Sequence, residues 1–326
     1  MRTGLVHLAV GLASLLAETA TPVQAKDYPE RPVRVIVPFP PGGAVDVIAR
    51  TIAQKLSDEL GGRFYVENLS GAAGNSGTAT AAAAKADGYT ILFVSPDFVT
   101  TPILKTRTPY DPFTSFAPVT LAVTSQEVIA AHESVPAKSM RELLELLGRN
   151  PGKYSYATPG YGSLPHLKGE LLFKLSQRLE VIHVPFQGFA PAVTSTLGGH
   201  TSILLGIPIP LVASDIEKGL LRGLAVEGNH RSPALPNVPT LQEVGLPSLG
   251  NPAWFGVLAP ARTPEGIINL LQRQIAKAIS LPDAKERLTT LGYDPVANTP
   301  DEFAAWIRSE NAHWGKVVRE TNMKIE

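Results

Sequence analysis

The stretch VRVIVPFPPGGAVDVIAR, residues 33–50, decides the fold. Residues 33–38 are almost entirely apolar and predict a buried strand, and PPGG at 40–43 predicts a sharp turn. Apolar residues then recur at helical spacing until the glycine pair at 61–62 ends the helix. Because ligands of open α/β sheets bind at the carboxyl ends of strands, this turn is the first candidate binding element.

The same order of strand, glycine-rich turn and helix recurs in two blocks, which are followed by a helical tail. Such units favour right-handed crossovers, so we expect mainly parallel sheets. Residues 231–252 are rich in Pro, Asn, Gly and Ser and predict a long surface connection. TPDE at 299–302 predicts a helix start with a Thr cap. Further strands are predicted at 63–67, 90–95, 154–158, 181–186, 202–205, 221–226 and 254–258. An alanine-rich helix is predicted to begin in the loop at 71–77 and to end at residue 86. Further helices are predicted at 164–175, 190–197, 264–280, 283–291 and 300–320.

The composition excludes several classes of protein. The 326 residues include no Cys, which excludes disulfides, thiolate zinc sites and a cysteine nucleophile. Lys plus Arg and Asp plus Glu both number 29, whereas a nucleic-acid binder needs a basic surface. The hydrophobic fraction of 44% is enough for folded cores, and the length predicts about two domains.

The first 25 residues have the layout of a secretory signal peptide, with a short positive start and small residues before Ala25. The apolar run from Gly4 to Ala17 is shorter than the roughly 20 residues that a membrane span needs, which makes a membrane anchor the weaker alternative. We therefore expect cleavage after Ala25, export to the periplasm and no membrane insertion.

Three glycine-rich loops are candidate binding elements, because glycines let backbone amides approach an anion. In the loop at 41–46, Asp46 either caps the helix or accepts a bond from a ligand. The loop at 71–77, GAAGNSG, lacks the Gly-Lys-Ser/Thr ending of a nucleotide loop. In the loop at 158–163, Ser163 and the loop amides could grip a carboxylate, and Ser163 could also cap the following helix.

The sequence carries few signatures of an enzyme, since it has no Gly-x-Ser-x-Gly elbow and no His-Glu-x-x-His motif. Ser163 and His166 lie three residues apart, but no third member of a triad is evident. His166 and Glu170 are one helical turn apart, and an exposed ion pair is a better interpretation there than a metal site. We expect no catalytic residue, no metal and no cofactor.

Short segments with a distinctive order and spacing extend over essentially the whole mature chain. They are YPERP at 28–32, VIVPFPPGG at 35–43, VEN at 66–68 with the loop at 71–77, DGYT at 87–90, FAPV at 116–119, HVPF at 183–186, LAV at 224–226, RSPALP at 231–236, VPT at 238–240 and WFG at 254–256.

Together these segments resemble the Bug family, the extracytoplasmic solute receptors of tripartite tricarboxylate transporters. The resemblance implies a type II periplasmic-binding fold, in which two α/β domains linked by two crossing strands surround a ligand cleft. Domain one would hold residues 26–124 and the return segment with the C-terminal helices, 250–326. Domain two would hold residues 125–249.

Family members bind small carboxylates partly through backbone amides and ordered water. Carried over, the binding residues lie in the ranges 41–46, 95–98, 158–163 and 187–189 and in the turn at 206–207. They are Phe39, Pro41, Gly42, Gly43, Ala44, Val45, Asp46, Ser95, Phe98, Thr158, Gly160, Gly162, Ser163, Gln187, Gly188, Phe189 and Ile207.

Four positions depart from the family pattern towards less polar residues. Val45 stands where Thr or Ser is common, Phe186 where Tyr is common, Phe189 where a small polar residue is common, and Gly206 where Asp is frequent. The departures suggest the hypothesis of a ligand that is larger or more apolar than an amino acid or citrate, such as an aromatic acid.

The leading hypothesis is a monomeric solute-binding protein that captures a small organic acid by domain closure and delivers it to the membrane subunits of a tripartite tricarboxylate-type transporter. One alternative is an exported hydrolase that uses Ser163 or His166. The other is a sensory receptor that presents its ligand to a membrane kinase.

Overall fold

The structure is a computed structural model that describes residues 28–71, 74–105 and 107–323. The predicted signal peptide, residues 1–25, lies outside this part of the chain. In the described ranges, no helix combines the length and the apolar character that crossing a bilayer requires.

Strands and helices alternate along most of the chain. The strands are β1 (Val33–Val37), β2 (Phe64–Asn68), β3 (Thr90–Val94), β4 (Phe116–Ser125), β5 (Glu127–His132), β6 (Ser155–Thr158), β7 (Ile182–Pro185), β8 (Ile203–Pro208), β9 (Leu221–Glu227), β10 (Ala253–Pro260) and β11 (Tyr293–Pro295). The α-helices are α1 (Ala44–Leu60), α2 (Asn75–Ala82), α3 (Asp97–Leu104), α4 (Met140–Arg149), α5 (Leu164–Gly169), α6 (Phe189–Leu197), α7 (Ala213–Glu217), α8 (Glu265–Ser280), α9 (Pro282–Thr290) and α10 (Pro300–Thr321), and α5 continues as a π-helix over Glu170–Ser176.

The strands form two sheets, each with a hydrophobic core on both faces. The first sheet has the strand order β11-β4-β10-β3-β1-β2, and the second has the order β7-β6-β8-β5-β9. In the first sheet, α1 and α8 cover one face, while α3 and α10 contribute to the core on the other. In the second sheet, α4 covers one face and α6 the other. The chain thus has the two α/β blocks that its sequence predicts.

The prediction of mainly parallel sheets is wrong. Four strand pairs are parallel, β1 with β2 and β3, and β6 with β7 and β8. Five pairs are antiparallel, and all of them involve β4, β5 or β10. These three strands lead into or out of the crossings between the sheets. They therefore run antiparallel to their neighbours in each sheet, unlike the strands of the strand–helix units.

The local signals of helix α1 are confirmed. Its buried residues include Ile48, Ile52 and Leu56, which lie on one face at helical spacing and contact the first sheet. Gly61 ends the helix in the left-handed conformation, at φ +66°, which glycine adopts without steric cost. The helix therefore sets the direction of the turn before it, at 40–43.

Other predictions need correction. The alanine-rich helix α2 ends at Ala82 rather than at residue 86, because the chain already turns there towards Gly88 at φ +84°. The segment 231–252 does not lie only on the surface, since Leu235 and Leu241 are buried in cores of the second sheet. Strands β4 and β5 are not among the predicted strands, because no glycine-rich turn marks where one ends and the other begins.

A buried ion-pair cluster lies where the chain crosses between the sheets. Lys168 of α5 pairs with Glu127 at the start of β5 and, at 2.6 Å, with Glu227 at the end of β9. All three side chains are buried, and Glu127 also accepts a hydrogen bond from the backbone of Ala253, the first residue of β10. Both crossings and α5 are therefore held at one point.

Replacing Lys168 by Met should strongly destabilise the fold, because it leaves two buried carboxylates without a cation. We expect a loss of about 3–5 kcal/mol in the free energy of unfolding, measured by urea denaturation at neutral pH. Lys174→Met is the matched control, since Lys174 is largely exposed in its pair with Glu170 and should contribute less than about 1 kcal/mol. Equal effects of the two variants would contradict the role given to Lys168.

Candidate functional site

The loop between β1 and α1 is shaped by Asp46. One of its carboxylate oxygens accepts from the Gly42 amide at 2.9 Å and from Arg50 Nε at 3.0 Å, and the other accepts from Asn68 Nδ2 at 2.8 Å. Burial alone would raise the pKa of Asp46, but these hydrogen bonds outweigh it and hold the pKa below its usual value. Both oxygens are engaged inside the protein, so Asp46 positions the loop and caps no helix end.

The loop leaves the start of α1 open. Gly43 is the N-cap residue and provides no side-chain cap, so the first N–H groups of α1 have no partner from a cap side chain. Gly42 has φ +82°, a conformation that favours glycine. Pro41, Gly42 and Gly43 are exposed, whereas Val45 belongs to the hydrophobic core and offers no side chain to a cleft.

A small pocket lies at the carboxyl edge of the first sheet, next to this loop. It brings together three predicted site residues, Phe39, Ser95 and Phe98. The Phe98 ring stacks on Tyr110 with a centroid distance of 5.3 Å and an interplanar angle of 7°. Asp97 also lines the pocket, although only Ser95 and Phe98 are named as site residues from the range 95–98.

The loop between β6 and α5 is closed by its own hydrogen bonds. Ser163 Oγ donates to the Gly160 carbonyl at 2.7 Å, and Thr158 Oγ1 donates to the same oxygen at 3.2 Å. Ser163 is the N-cap residue of α5, yet its side chain makes no cap bond, so the expected hydroxyl cap is absent at this position. The Gly188 amide donates to Pro159 at 2.9 Å, which joins the loop at 187–189 to this one.

Two histidines contact the loop at 158–163 from the protein interior. His166 Nδ1 accepts from the Gly162 amide at 2.9 Å, and His183 Nε2 lies 2.7 Å from Thr158 Oγ1. Their rings stack with a centroid distance of 3.7 Å. Burial lowers the pKa of His166 to about 3 and that of His183 to about 4, so both rings are neutral at physiological pH.

The prediction of an exposed ion pair between His166 and Glu170 is therefore wrong. His166 is 2% exposed, and its Nε2 lies 4.0 Å from Glu170 Oε1. A neutral imidazole forms no ion pair, and the His166 ring packs against the rings of Tyr161 and His183, with centroid distances of 4.5 and 3.7 Å. The hydroxyl of Ser163 is likewise committed to Gly160, so no hydrogen bond between Ser163 and His166 is found among the described residues.

The remaining predicted residues divide between surface and core. Gln187 is exposed, while Phe189 begins α6 and packs partly against the core of the second sheet. Ile207 is 1% exposed within that core, so only its backbone is available to a ligand. In the described part of the chain, no hydrogen bond joins the loops of the first sheet at 39–46 and 95–98 to those of the second sheet.

A second cavity of about 410 Å³ lies beside the two histidines. Tyr161, Glu170 and Lys174 line one side, and the end of α10 at residues 321–323 lines the other. Of the ranges carried over from the family, it shares only Tyr161, in the loop at 158–163. It is therefore separate from the pocket at Phe39 and Ser95.

A comparison with known proteins assigns the family. A family model described as "Tripartite tricarboxylate transporter family receptor" matches residues 48–323. The chain belongs to this family. Its members are solute-binding receptors, and the predicted resemblance and periplasmic-binding fold are both confirmed.

Individual relatives match almost the whole receptor. It is 36% identical over 322 residues to protein BugT of Bordetella pertussis, with 97% of each chain covered. It resembles the R. palustris protein Rpa4515, solved with adipate, at 31% identity and a TM-score of 0.81, covering 91% of this chain and 99% of that one. It also resembles MatC from Rhodopseudomonas palustris, solved with bound malate, at 29% identity and a TM-score of 0.76, covering 89% and 100%.

The four residues that depart from the family pattern pack within or against the protein interior. Val45 is a core residue, and Phe186 and Phe189 pack partly against the core of the second sheet. A Cβ at Gly206 would lie 3.0 Å from Pro165 of α5, with φ +60° at that residue. These positions serve packing, so they do not support the hypothesis of a more apolar ligand.

Removing the Asp46 carboxylate should destabilise the receptor by about 1–3 kcal/mol at neutral pH, because three hydrogen bonds are lost. Since the folded pKa of Asp46 is lowered, its contribution is present above the unfolded value of about 4 and is lost as the pH falls through the folded value. Urea unfolding of Asp46→Ala and wild type, from neutral to acid pH, should show the difference shrinking. Asp58→Asn, an exposed change on α1, should have little effect at any pH.

Proposed function

We propose that the receptor captures a small organic carboxylate between two domains and delivers it to the membrane subunits of a tripartite tricarboxylate transporter. The observation that carries this proposal is the position of three loops, at 40–46, 95–98 and 158–163. Each lies at the carboxyl end of a strand, where α/β proteins bind ligands. The relatives solved with adipate and malate support a carboxylate as the ligand.

The proposed grip uses neutral donors. The open first turn of α1 presents N–H groups at the positive end of a 17-residue helix, where an anion is stabilised. The loop at 158–163 adds backbone amides from the other side, while its Ser163 hydroxyl stays bound to the Gly160 carbonyl. Several such bonds hold a carboxylate firmly enough for capture and still allow release, which a transport receptor requires.

The proposed domains follow the sheets. Domain one would hold residues 26–124 and 250–326, and domain two residues 125–249. Gln126 alone separates β4 of the first sheet from β5 of the second, and β10 begins at Ala253, which supports boundaries close to those predicted. We propose in addition that the receptor is a periplasmic monomer without enzymatic activity, and the bonds that occupy Ser163 and His166 argue against the hydrolase alternative.

Isothermal titration with adipate, malate, citrate, glutamate and benzoate tests the carboxylate proposal directly. At least one of them should give a saturable one-to-one isotherm and raise the melting temperature of the receptor, because a ligand that binds only the folded state stabilises it. Their concentrations should stay unchanged during incubation. Turnover that disappears in Ser163→Ala would instead support the hydrolase.

Replacing Gly43 by Leu should weaken carboxylate binding by about tenfold or more without unfolding the receptor. The Gly43 backbone has an ordinary φ of −75°, and a Cβ there would meet only the Pro40 carbonyl at 3.6 Å. A larger side chain would cover the open start of α1. Gly148→Leu on α4 is the matched control, since its Cβ also meets a single atom at 3.6 Å. Equal affinities of both variants would remove this loop from the site.

A further inference from the structure

The crossing between the two sheets buries more carboxyl groups than cations. Lys168 of α5 lies within salt-bridge distance of both Glu127 and Glu227, and all three side chains are buried. In the described ranges, no other Lys, Arg or His lies within salt-bridge distance of either carboxyl group. If both were ionised, the cluster would hold one uncompensated negative charge in the protein interior, which is energetically costly.

The neighbouring helix α10 supplies no second cation. Its buried side chain Glu310 accepts hydrogen bonds from three neutral donors, the side chains of Asn251, Trp254 and Trp314. Burial lowers the pKa of His313, and Glu310 opposes this effect. Lys168 and the exposed Lys316 lower it further, so the ring is neutral at neutral pH. The excess of carboxyl groups at the crossing is therefore not balanced from α10.

One carboxyl oxygen of the cluster has no hydrogen-bond donor. Glu227 Oε2 lies 2.6 Å from Lys168 Nζ, but Glu227 Oε1 is buried and accepts no hydrogen bond from the residues that the structure describes. Glu127 accepts from both Lys168 and the Ala253 amide. Burial raises the pKa of Glu127 and Glu227 adds to this effect, although Lys168 opposes it. A proton on the pair would remove the uncompensated charge.

We infer that the crossing is a pH-sensitive switch, in which Glu127 and Glu227 share one proton in the folded receptor at neutral pH and release it in alkali. With the proton bound, the two carboxyl groups and the ammonium group of Lys168 are jointly neutral. After its release, α5 is attached to the crossing through a cluster with one excess negative charge, which weakens the attachment. Because the loop at 158–163 leads directly into α5, it loses support as well. The switch is independent of which ligand the receptor binds.

The direction of the pH dependence follows from the raised affinity of the folded pair for a proton. In the unfolded chain a Glu ionises with a pKa of about 4.3, whereas the folded pair keeps its proton to higher pH. The stabilisation is therefore fully present below the unfolded value and is lost as the pH rises through the pKa of the folded pair. Between the two values unfolding releases one proton, so the equilibrium constant for unfolding rises about tenfold per pH unit.

Glu227→Gln tests the shared proton, because the remaining charges of Glu127 and Lys168 cancel. The amide keeps the size of the side chain and can still accept from Lys168. Urea unfolding of the receptor, from about pH 5 to about pH 9, should show the ratio of the wild-type to the variant unfolding constant rising at least tenfold. Groups such as His166 titrate in both proteins and drop out of the ratio. A ratio that stays constant within about twofold over this range overturns the inference.

Two further variants show whether the effect belongs to this pair. Glu127→Gln removes the other carboxyl group, so the ratio of the wild-type to this variant's unfolding constant should rise with pH in the same way. Glu320→Gln is the matched control, since Glu320 is exposed in its pair with Lys316 at 3.9 Å and should follow the wild-type profile. A control that changes the profile as much as the two buried variants contradicts the role given to the crossing.

Infrared spectroscopy observes the proton without unfolding the receptor and decides the matter even if the variants fail to fold. With the glutamate side-chain carboxyl groups labelled with ¹³C, the wild-type receptor should show the C=O stretch of a protonated glutamate at neutral pH. This band should fade as the pH is raised to about 9, and it should be missing in Glu227→Gln at neutral pH. Absence of the band from the wild-type receptor, or its persistence in the variant, overturns the inference.

Discussion

The relative placement of the two sheets depends on one buried ammonium group. Burial would lower the pKa of Lys168, but the carboxylates of Glu127 and Glu227 outweigh this effect and raise it, so the group stays charged. Burial in turn raises the pKa of Glu127, with Lys168 opposing the effect and Glu227 adding to it. One ammonium group thus compensates two carboxyl groups from separate strands. If α5 moved away from the crossing, both carboxyl groups would be buried without a cation.

The same helix connects the crossing to the ligand loop. Three residues of α5 contact different parts of the protein. Lys168 pairs with Glu127 at the crossing, and Leu167 belongs to the same apolar cluster as Trp314 of α10. His166 accepts a hydrogen bond from the Gly162 amide. The loop at 158–163 is therefore held in position from the protein interior. Its geometry follows from how α5 is fixed, and the loop sequence alone does not determine it.

Local sequence signals explain which parts of the fold could be predicted. The turn at 40–43, the end of α1 at Gly61 and the capping box of Thr299 depend on a few adjacent residues, and the structure contains all of them. Local signals did not reveal strands β4 and β5, because no turn residue separates them, whereas the resemblance to the family placed a domain boundary at residues 124–125. The sequence gives no local signal for the burial of Lys168, which depends on partners 41 and 59 positions away in the chain, or for the stacking of His166 on His183. At the site, backbone loops were predictable from glycines, whereas the direction of side chains such as Val45 and Asp97 was not.

The stacked imidazoles of His166 and His183 contribute, beside Asp46, to how the receptor responds to acid. Because the folded pKa values are about 3 and 4, both rings stay neutral in mild acid and the ligand loop keeps its hydrogen bonds. The unfolded chain, however, takes up protons on these residues below about pH 6.5, which the folded protein does not. Acid therefore lowers the stability of the whole protein before it alters the shape of the loop.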